Sequence, residues 1–269
     1  MELTDLTWRL VCEETWDGPT NMALDEIAAT TVAEGGPPTV RVYRWDPSTL
    51  SLGYGQDPET VDWDFCRREG VTVTRRPTGG GGIYHDSYGD ISYTIIASAE
   101  ALPGDLMESY EILCEPILNA FGRLGIDADF ADEEKPSLHQ PACYLRKVSP
   151  AHDVLVDGRK VSGNAQYRQR EAIVQHGSLK YDFRVERHLA TFEDPGVTPE
   201  EFHERVTTIR EQSGVSRARA VEAVEESLRE WVDAEEGSWT PEEVEQARER
   251  AREKFATDAW TREREDPRD

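Results

Sequence analysis

Four consecutive glycines, Gly79, Gly80, Gly81 and Gly82, separate a strand-like run at residues 71–74 (VTVT) from a second apolar run that opens with Ile83 and Tyr84. Glycine loses more conformational freedom on folding than any other residue, so four in a row make sense where main chain must approach something closely. Arg75, Arg76, Pro77 and Thr78 precede the run, and His85 and Asp86 follow it. Two readings stand. One is a flexible loop with surface arginines; the other is a main-chain wall whose N–H groups face an anion. The paired arginines and the His-Asp ending favour the second. His85 taken alone fits a structural histidine equally well. The spacing is neither a P-loop, because no Gly-Lys-Ser/Thr follows, nor the GxGxxG dinucleotide fingerprint.

Around this loop the chain alternates apolar runs with Gly and Pro punctuation. Residues 20–34 carry apolar positions at helical spacing, with Thr20 or Asn21 as the expected cap. Strand-like runs follow at 39–45, 49–55, 71–76 and 90–98, a helix at about 106–124, and strands at 153–157 and 171–181. Consecutive strands with few helices between them predict an α+β fold, a mixed and largely antiparallel sheet packed with helices. Beyond residue 200 the texture changes, with 33 charged residues among the last 70. Apolar positions persist there at helical spacing, and Thr240 with Pro241 makes a good helix start. The expected organisation is a catalytic domain over 1–199 and an acidic, helical C-terminal segment over 200–269.

Composition then excludes several functions. The net charge is −24, from 54 acidic and 30 basic residues. That balance disfavours nucleic acid as a partner. No apolar stretch approaches a membrane span, and the start MELTDLTWRL lacks the pattern of a signal peptide, so a cytoplasmic protein is expected. An acid-rich chain with only five lysines suits concentrated salt, which points to a halophilic source. The cysteines Cys12, Cys66, Cys114 and Cys143 and the six histidines show no metal-ligand spacing. They read as reduced thiols with no metal site.

A second feature lies at residues 157–166. Asp157-Gly158 is a strong hairpin signal and sets Lys160 on the return strand. Residues 142–187 hold nine Lys+Arg against five Asp+Glu, a basic island in an acidic chain. An ordinary exposed hairpin and a site for an anionic ligand both fit these residues.

The stretches RRPTGGGGIYHD, GRKVSGNAQ and VQHGSL, preceded by NMALDE and RVYRW, together resemble the lipoate-protein ligase A and octanoyltransferase superfamily, related in fold to biotin-protein ligases. The resemblance runs in order from about Trp8 to Leu179. It implies an enzyme that joins an octanoyl or lipoyl group to the target lysine of a lipoyl domain. It also implies an acyl- or nucleotide-binding wall made of Arg75, Arg76, Thr78, Gly79, Gly80, Gly81, Gly82, Ile83, Tyr84, His85, Ser162, Gly163, Asn164, Ala165, His176 and Gly177. Lys160 takes the place of the family's catalytic lysine.

Two chemistries follow from the resemblance. Ligases make lipoyl-adenylate and need ATP and magnesium; the glycine run, the His85-Asp86 ending and Asp153 look like theirs. Cysteine-dependent octanoyltransferases use an acyl thioester without nucleotide, and Cys143 stands upstream of Lys160 as their nucleophile does. The helical ending also resembles that type, whereas the stretch 145–152 is longer than usual between cysteine and lysine. A thiol at its ordinary pKa of ~8.5 is mostly protonated near neutrality, and a nearby ammonium favours the thiolate. The reading adopted is octanoyl transfer through Cys143 and Lys160. ATP-dependent lipoate ligation and a lipoyl-binding subunit that needs a separate protein are the alternatives. An inert, half-buried thiol is the alternative for Cys143. The implied partners are apo lipoyl domains (2-oxoacid dehydrogenase acyltransferase subunits and glycine cleavage H protein) and acyl carrier protein. Biotin ligation is disfavoured by the different glycine signature of that family.

Overall fold

The structure, a computed structural model, describes residues 3–148 and 153–268. Strand β1 (Arg9–Trp16) leads into helix α1 (Gly18–Ala33). The cap of α1 is Asp17, not Thr20 or Asn21: its side chain accepts from the Thr20 amide, and Pro19 fits the first turn, where no N–H is needed. The Asn21 side chain is instead spent on the Trp16 and Arg44 carbonyls.

Strands β2 (Thr39–Trp45) and β3 (Thr49–Leu52), helix α2 (Trp63–Arg68), and strands β4 (Thr72–Arg75), β5 (Ile83–His85) and β6 (Asp90–Ser98) follow. The strand expected over 49–55 stops at Leu52, where the chain turns under the glycine loop. Then come α3 (Leu106–Arg123), β7 (Asp129–Phe130), β8 (Asp153–Val156), β9 (Arg159–Gln169) and β10 (Ala172–Lys180). The stretch 145–152 lies partly outside the described residues. Three short helices, α4 (Val185–Leu189), α5 (Pro199–His203) and α6 (Ile209–Ser213), precede α7 (Arg217–Val232), β11 (Glu235–Glu236) and α8 (Pro241–Arg250). Thr240 and Glu243 close a capping box on α8. Two wide π-type turns, Ala251–Phe255 and Ala259–Glu263, end the chain.

Eight strands form one sheet in the order β11-β1-β2-β6-β10-β9-β8-β7. Only β1 pairs in parallel, with β2 and with β11; the other neighbours are antiparallel. The mixed, largely antiparallel α+β architecture is therefore present. A small sheet, β4-β3-β5, packs beside it.

Side chains along a strand alternate between faces, and here both faces are apolar. Val42, Ile95 and Ile173 pack under α3 and α7, while Tyr43, Ile96 and Val174 pack under α1 and α8. On that second face the lining then changes. Towards one end β6 presents Thr94, Ser92 and Asp90, and β10 presents His176, Ser178 and Lys180, all buried. Buried polar groups of this density need partners. Asp90 meets His85, Lys180 donates to the Tyr84 carbonyl and His176 meets Thr78, in the small sheet and the glycine loop. Thr94 donates to Asp25, Ser178 donates to Asp90 and Ser92 accepts from Trp45; the cavity lies among them. The acidic C-terminal stretch is built into the same layers: β11 extends the sheet beside β1, α7 packs on α3, and α8 packs on α1.

Candidate active site

A cavity of about 340 Å³ opens between the polar end of the large sheet and the glycine loop. Its apolar wall comes from Met22, Tyr43, Trp45, Ile83, Leu106 and Tyr110. Its charged groups are Arg76, Lys160 and Asp153, two cations against one carboxylate.

The loop is held from both sides. A Cβ on Gly53 would collide with the Gly80 carbonyl, so that turn and the loop touch through bare main chain. A Cβ on Gly81 would lie 2.5 Å from the Pro141 carbonyl oxygen and 3.0 Å from the Cys143 nitrogen. Close approach, not flexibility, explains these glycines. The Gly82 amide donates to the Pro141 carbonyl at 2.6 Å, and the Cys143 amide donates to the Gly82 carbonyl at 2.8 Å. Loop and cysteine are thus one hydrogen-bonded unit.

The arginines play a different part from the expected one. Arg76 is buried, and its guanidinium donates to the carbonyls of Ser51 (2.8 Å), Gly79 (2.7 Å) and Gly81 (2.7 Å) and to Thr78 Oγ1 (3.1 Å). Arg75 does not line the cavity; it donates to the carbonyls of Gly53, Tyr54, Gln56 and Thr261. A tight glycine loop buries carbonyls that have no ladder partner, and these two side chains satisfy them. Arg76 and the Nε and Nη1 of Arg75 are spent on protein.

Lys160 reaches the cavity through a local irregularity. The turn takes positive φ at Asp157 (49°) and Gly158 (72°), as a type I′ hairpin requires. Between β8 and β9 the register then slips, so that Leu155 faces Lys160 while Val154 faces Ser162. Such a bulge re-aims a side chain. The ammonium fits beside Gly163, where a Cβ would stand 3.2 Å from Nζ, and it pairs with the Asp153 carboxylate. Lys160 is 3% exposed. Burial pulls its pKa down, but Asp153, with Cys143 as the lesser partner, outweighs burial and holds it above the ordinary lysine value. The ammonium is kept charged.

Cys143 opens a short 3-10 turn and is half-buried at the cavity edge. Lys160 and Arg76 both lie within electrostatic reach of its sulfur. The next residue, Tyr144, is fully buried, with the Lys160 and Lys180 nitrogens 5.0 and 4.8 Å from its ring centroid. Its hydroxyl donates to the Ser178 carbonyl at 3.0 Å. Ser178 Oγ and Lys180 Nζ each donate to Asp90 at 2.5 Å. Burial raises the Asp90 carboxyl, but Lys180 and His85 hold it well below the usual range.

His85 stacks on Trp45 with centroids 4.1 Å apart. Its Nδ1 lies 3.1 Å from Asp90, which only accepts, so Nε2 is left to accept from Ser51 Oγ at 2.9 Å. Burial lowers its pKa to about 4, so it is a neutral structural imidazole near pH 7. His176 Nε2 meets Thr78 Oγ1 at 2.9 Å and ties β10 to the loop.

Of the residues expected at the site, Arg76, Thr78, Gly79, Gly80, Ile83, His85, Cys143, Lys160, Gly163, Asn164, Ala165, His176 and Gly177 line one cavity. Arg75, Gly81, Gly82, Tyr84 and Ser162 stand behind it. Sequence reasoning gave no role to Met22, Tyr43 and Trp45, although they lie within the NMALDE and RVYRW stretches. Tyr144 and Ser178 carry no local signal of their function. No group of three His, Cys, Asp or Glu placed to hold a metal occurs among the described residues.

The comparisons agree with this arrangement. An octanoyltransferase, LipM, from Geobacillus kaustophilus is 35% identical over 94% of this chain and 97% of its own length. In structure, a lipoate-protein ligase A bound with ATP superposes with a TM-score of 0.79 at 24% identity, covering 97% of this chain and 99% of that one. A chain from an archaeal lipoylation system of Thermoplasma acidophilum, described as a bi-partite lipoate protein ligase and its E2 lipoyl domain, gives 0.77 at 24% identity over 96% of each chain. The family model described as the lipoyl protein ligase A/B catalytic domain matches residues 17–232. This chain belongs to that family.

Proposed function

We propose that this protein moves an octanoyl group from a carrier-bound thioester to the target lysine of a lipoyl domain, with Cys143 holding the acyl group between the two half-reactions. The observation that carries this reading is the placement of Cys143. Cys143 lines the cavity, its amide is bonded to the glycine loop, and the Lys160 ammonium lies within electrostatic reach of it. The Geobacillus kaustophilus relative, of similar length, is an octanoyltransferase, and the class of the enzyme is acyl transfer in protein lipoylation.

Each step of this reading uses groups at the cavity. The Cys143 thiolate attacks the donor's thioester carbonyl, and the negative charge that forms on oxygen is met by the Lys160 ammonium. Collapse leaves octanoyl on sulfur and expels the carrier thiolate, which takes a proton from water; the proton that the acceptor nitrogen gives up in the second step restores the balance. The uncharged amine of the acceptor lysine then attacks that thioester, forms the amide and returns the cysteine. Asp153 cannot serve as a free base while it holds Lys160; its part is to keep the ammonium charged. The apolar wall contributes about 0.8 kcal/mol per methylene it buries, which favours octanoyl over shorter chains.

This reading requires no nucleotide. Ligation through an adenylate calls for cations free to grip phosphate, whereas Arg76 is spent on main-chain carbonyls and Arg75 does not line the cavity. The acceptors in this reading are apo lipoyl domains of 2-oxoacid dehydrogenases and of the glycine cleavage H protein, and the donor is octanoyl-acyl carrier protein. Four unpaired thiols fit a reducing compartment, and we place the reaction in the cytoplasm.

The test is to incubate the protein and an apo lipoyl domain either with octanoyl-carrier protein or with lipoate, ATP and magnesium, and to weigh the acceptor. An octanoyl adduct formed without nucleotide supports the reading. A lipoyl adduct formed only with ATP replaces it with the ligase mechanism.

A further inference from the structure

The last turns of the chain are bonded to the root of the glycine loop across more than 180 residues of sequence. Trp260 Nε1 donates to the Arg75 carbonyl at 2.8 Å, and Arg75 Nε donates to the Thr261 carbonyl at 2.9 Å. One residue earlier on β4, Thr74 Oγ1 donates to the Phe255 carbonyl at 2.8 Å. Trp260, Thr261 and Phe255 are all buried.

The same guanidinium continues inward. Arg75 Nη1 donates to the carbonyls of Gly53 (2.7 Å), Tyr54 (2.8 Å) and Gln56 (2.8 Å), gathering that turn around one nitrogen. The turn is the surface on which the loop rests. Gly53 touches the Gly80 carbonyl too closely for any side chain, and the Tyr54 amide donates to the Thr78 carbonyl at 2.8 Å. Thr78 and Gly80 line the cavity. An unbroken path therefore runs from Thr261 through Arg75 and the 53–56 turn to the cavity wall.

The tail is itself anchored. Arg250 and Lys254 both pair with Glu26 on α1 and with Asp266, at 2.5 to 2.9 Å. These two cations are nearly buried, and such ion pairs are screened less than surface ones. Glu26 adjoins Asp25, which accepts from Arg41 at 3.0 Å and from Thr94 at 3.1 Å beside the polar end of the sheet.

Stability alone is a poor account of Arg75. A buried guanidinium costs desolvation, and its Nη2 has no partner among the described residues. Its value lies in the four carbonyls it gathers.

We propose that the C-terminal tail, residues 251–266, clamps the glycine loop through Arg75, and that this positioning residue sets how closely the cavity wall fits a medium-length acyl chain. The proposal rests on the octanoyl-transfer reading for its substrate but not for its geometry. The clamp acts on binding: a loosened wall loses contact with the chain in ground state and transition state alike. KM then rises while kcat stays nearly unchanged.

Two full-length variants test this. Trp260→Phe removes the indole N–H donated to Arg75 while keeping a ring against Phe255, and Arg75→Lys keeps the charge but cannot gather four carbonyls. Hydrogen exchange of peptides spanning 78–82 should accelerate about tenfold or more in either variant, with exchange in β6 and β10 unchanged. KM for the octanoyl donor should rise about tenfold with kcat within about twofold, and the preference for octanoyl over hexanoyl should shrink. Unchanged exchange in the loop, or a lower melting temperature with unaltered KM and chain-length preference, overturns the clamp. If Arg75→Lys does not fold, the Trp260→Phe result decides. If the wild-type protein transfers no octanoyl group, the functional reading has failed, and the exchange data still decide whether the tail holds the loop.

Discussion

The Cys143 amide donates to the Gly82 carbonyl at 2.8 Å, which makes the position of the proposed nucleophile depend on the glycine loop. The link is reciprocal, since the Gly82 amide is bound by the Pro141 carbonyl at 2.6 Å. A bridge between residues 82 and 142 ties the Gly82 end of the loop to the cysteine turn, whereas the C-terminal tail bears on the other end, at Thr78 and Gly80.

Gly81→Ala should break this link. The added methyl would stand 2.5 Å from the Pro141 carbonyl and 3.0 Å from the Cys143 nitrogen, so the cysteine turn must move. A displacement near 1 Å costs about 100-fold in rate in a positioned active site. Steady-state transfer should fall by about that factor, with circular dichroism unchanged. Transfer within threefold of wild type contradicts the coupling.

Lys160→Ala should abolish acylation while the protein stays folded. Lys160→Arg should not restore it, because the space beside Gly163 takes a compact ammonium and not a planar fork. Asp153→Asn is more informative. Burial lowers the Lys160 pKa and Asp153 reverses this, so loss of the carboxylate leaves burial in command. The alkaline limb of kcat/KM should move down by about one pH unit or more. An unmoved limb would show that the ammonium is not the group that titrates.

His188→Leu should flatten the dependence of stability on pH. His188 is fully buried among Tyr84, Phe183, Phe192 and Phe202, and neither ring nitrogen has a partner among the described residues. Burial, aided by Lys180, lowers its pKa to about 3. The unfolded chain takes up a proton near pH 6.5 that the folded chain refuses until about pH 3, so stability falls as pH drops through that window. His85, at about 4, adds to the loss. The slope is about 1.4 kcal/mol per pH unit for each such group. Chemical denaturation at pH 7, 6 and 5 should show a shallower fall for the variant; equal slopes contradict it.

Much of this was legible in the residues before the structure. Alternating apolar runs marked the strands, Asp157-Gly158 marked the hairpin, and the glycine run and Lys160 stood out as candidates, of which Gly79, Gly80 and Lys160 line one cavity. What escaped notice is what local pattern cannot carry. The α1 cap moved to Asp17 because Pro19 tolerates the first turn. The arginines read as ligand groups because a sequence does not reveal which way a loop points its carbonyls. Tyr144 gained its role from two lysines, 16 and 36 residues away, that reach its ring only through the sheet register. The bonds from the tail to Arg75 join segments more than 180 residues apart and leave no periodic trace.

The central claim is that Cys143 carries the acyl group. The direct measurement is mass spectrometry of the protein mixed with octanoyl-carrier protein and no acceptor, in concentrated salt suited to its −24 charge. The account predicts an octanoyl adduct on the peptide containing Cys143, removed by hydroxylamine and transferred when apo lipoyl domain is added. Cys12, Cys66 and Cys114 should stay unlabelled, and Cys143→Ser should form neither adduct nor product, because a hydroxyl without its own base is a poor substitute. An unlabelled Cys143, with a Ser variant that still acylates when given lipoate, ATP and magnesium, would contradict it.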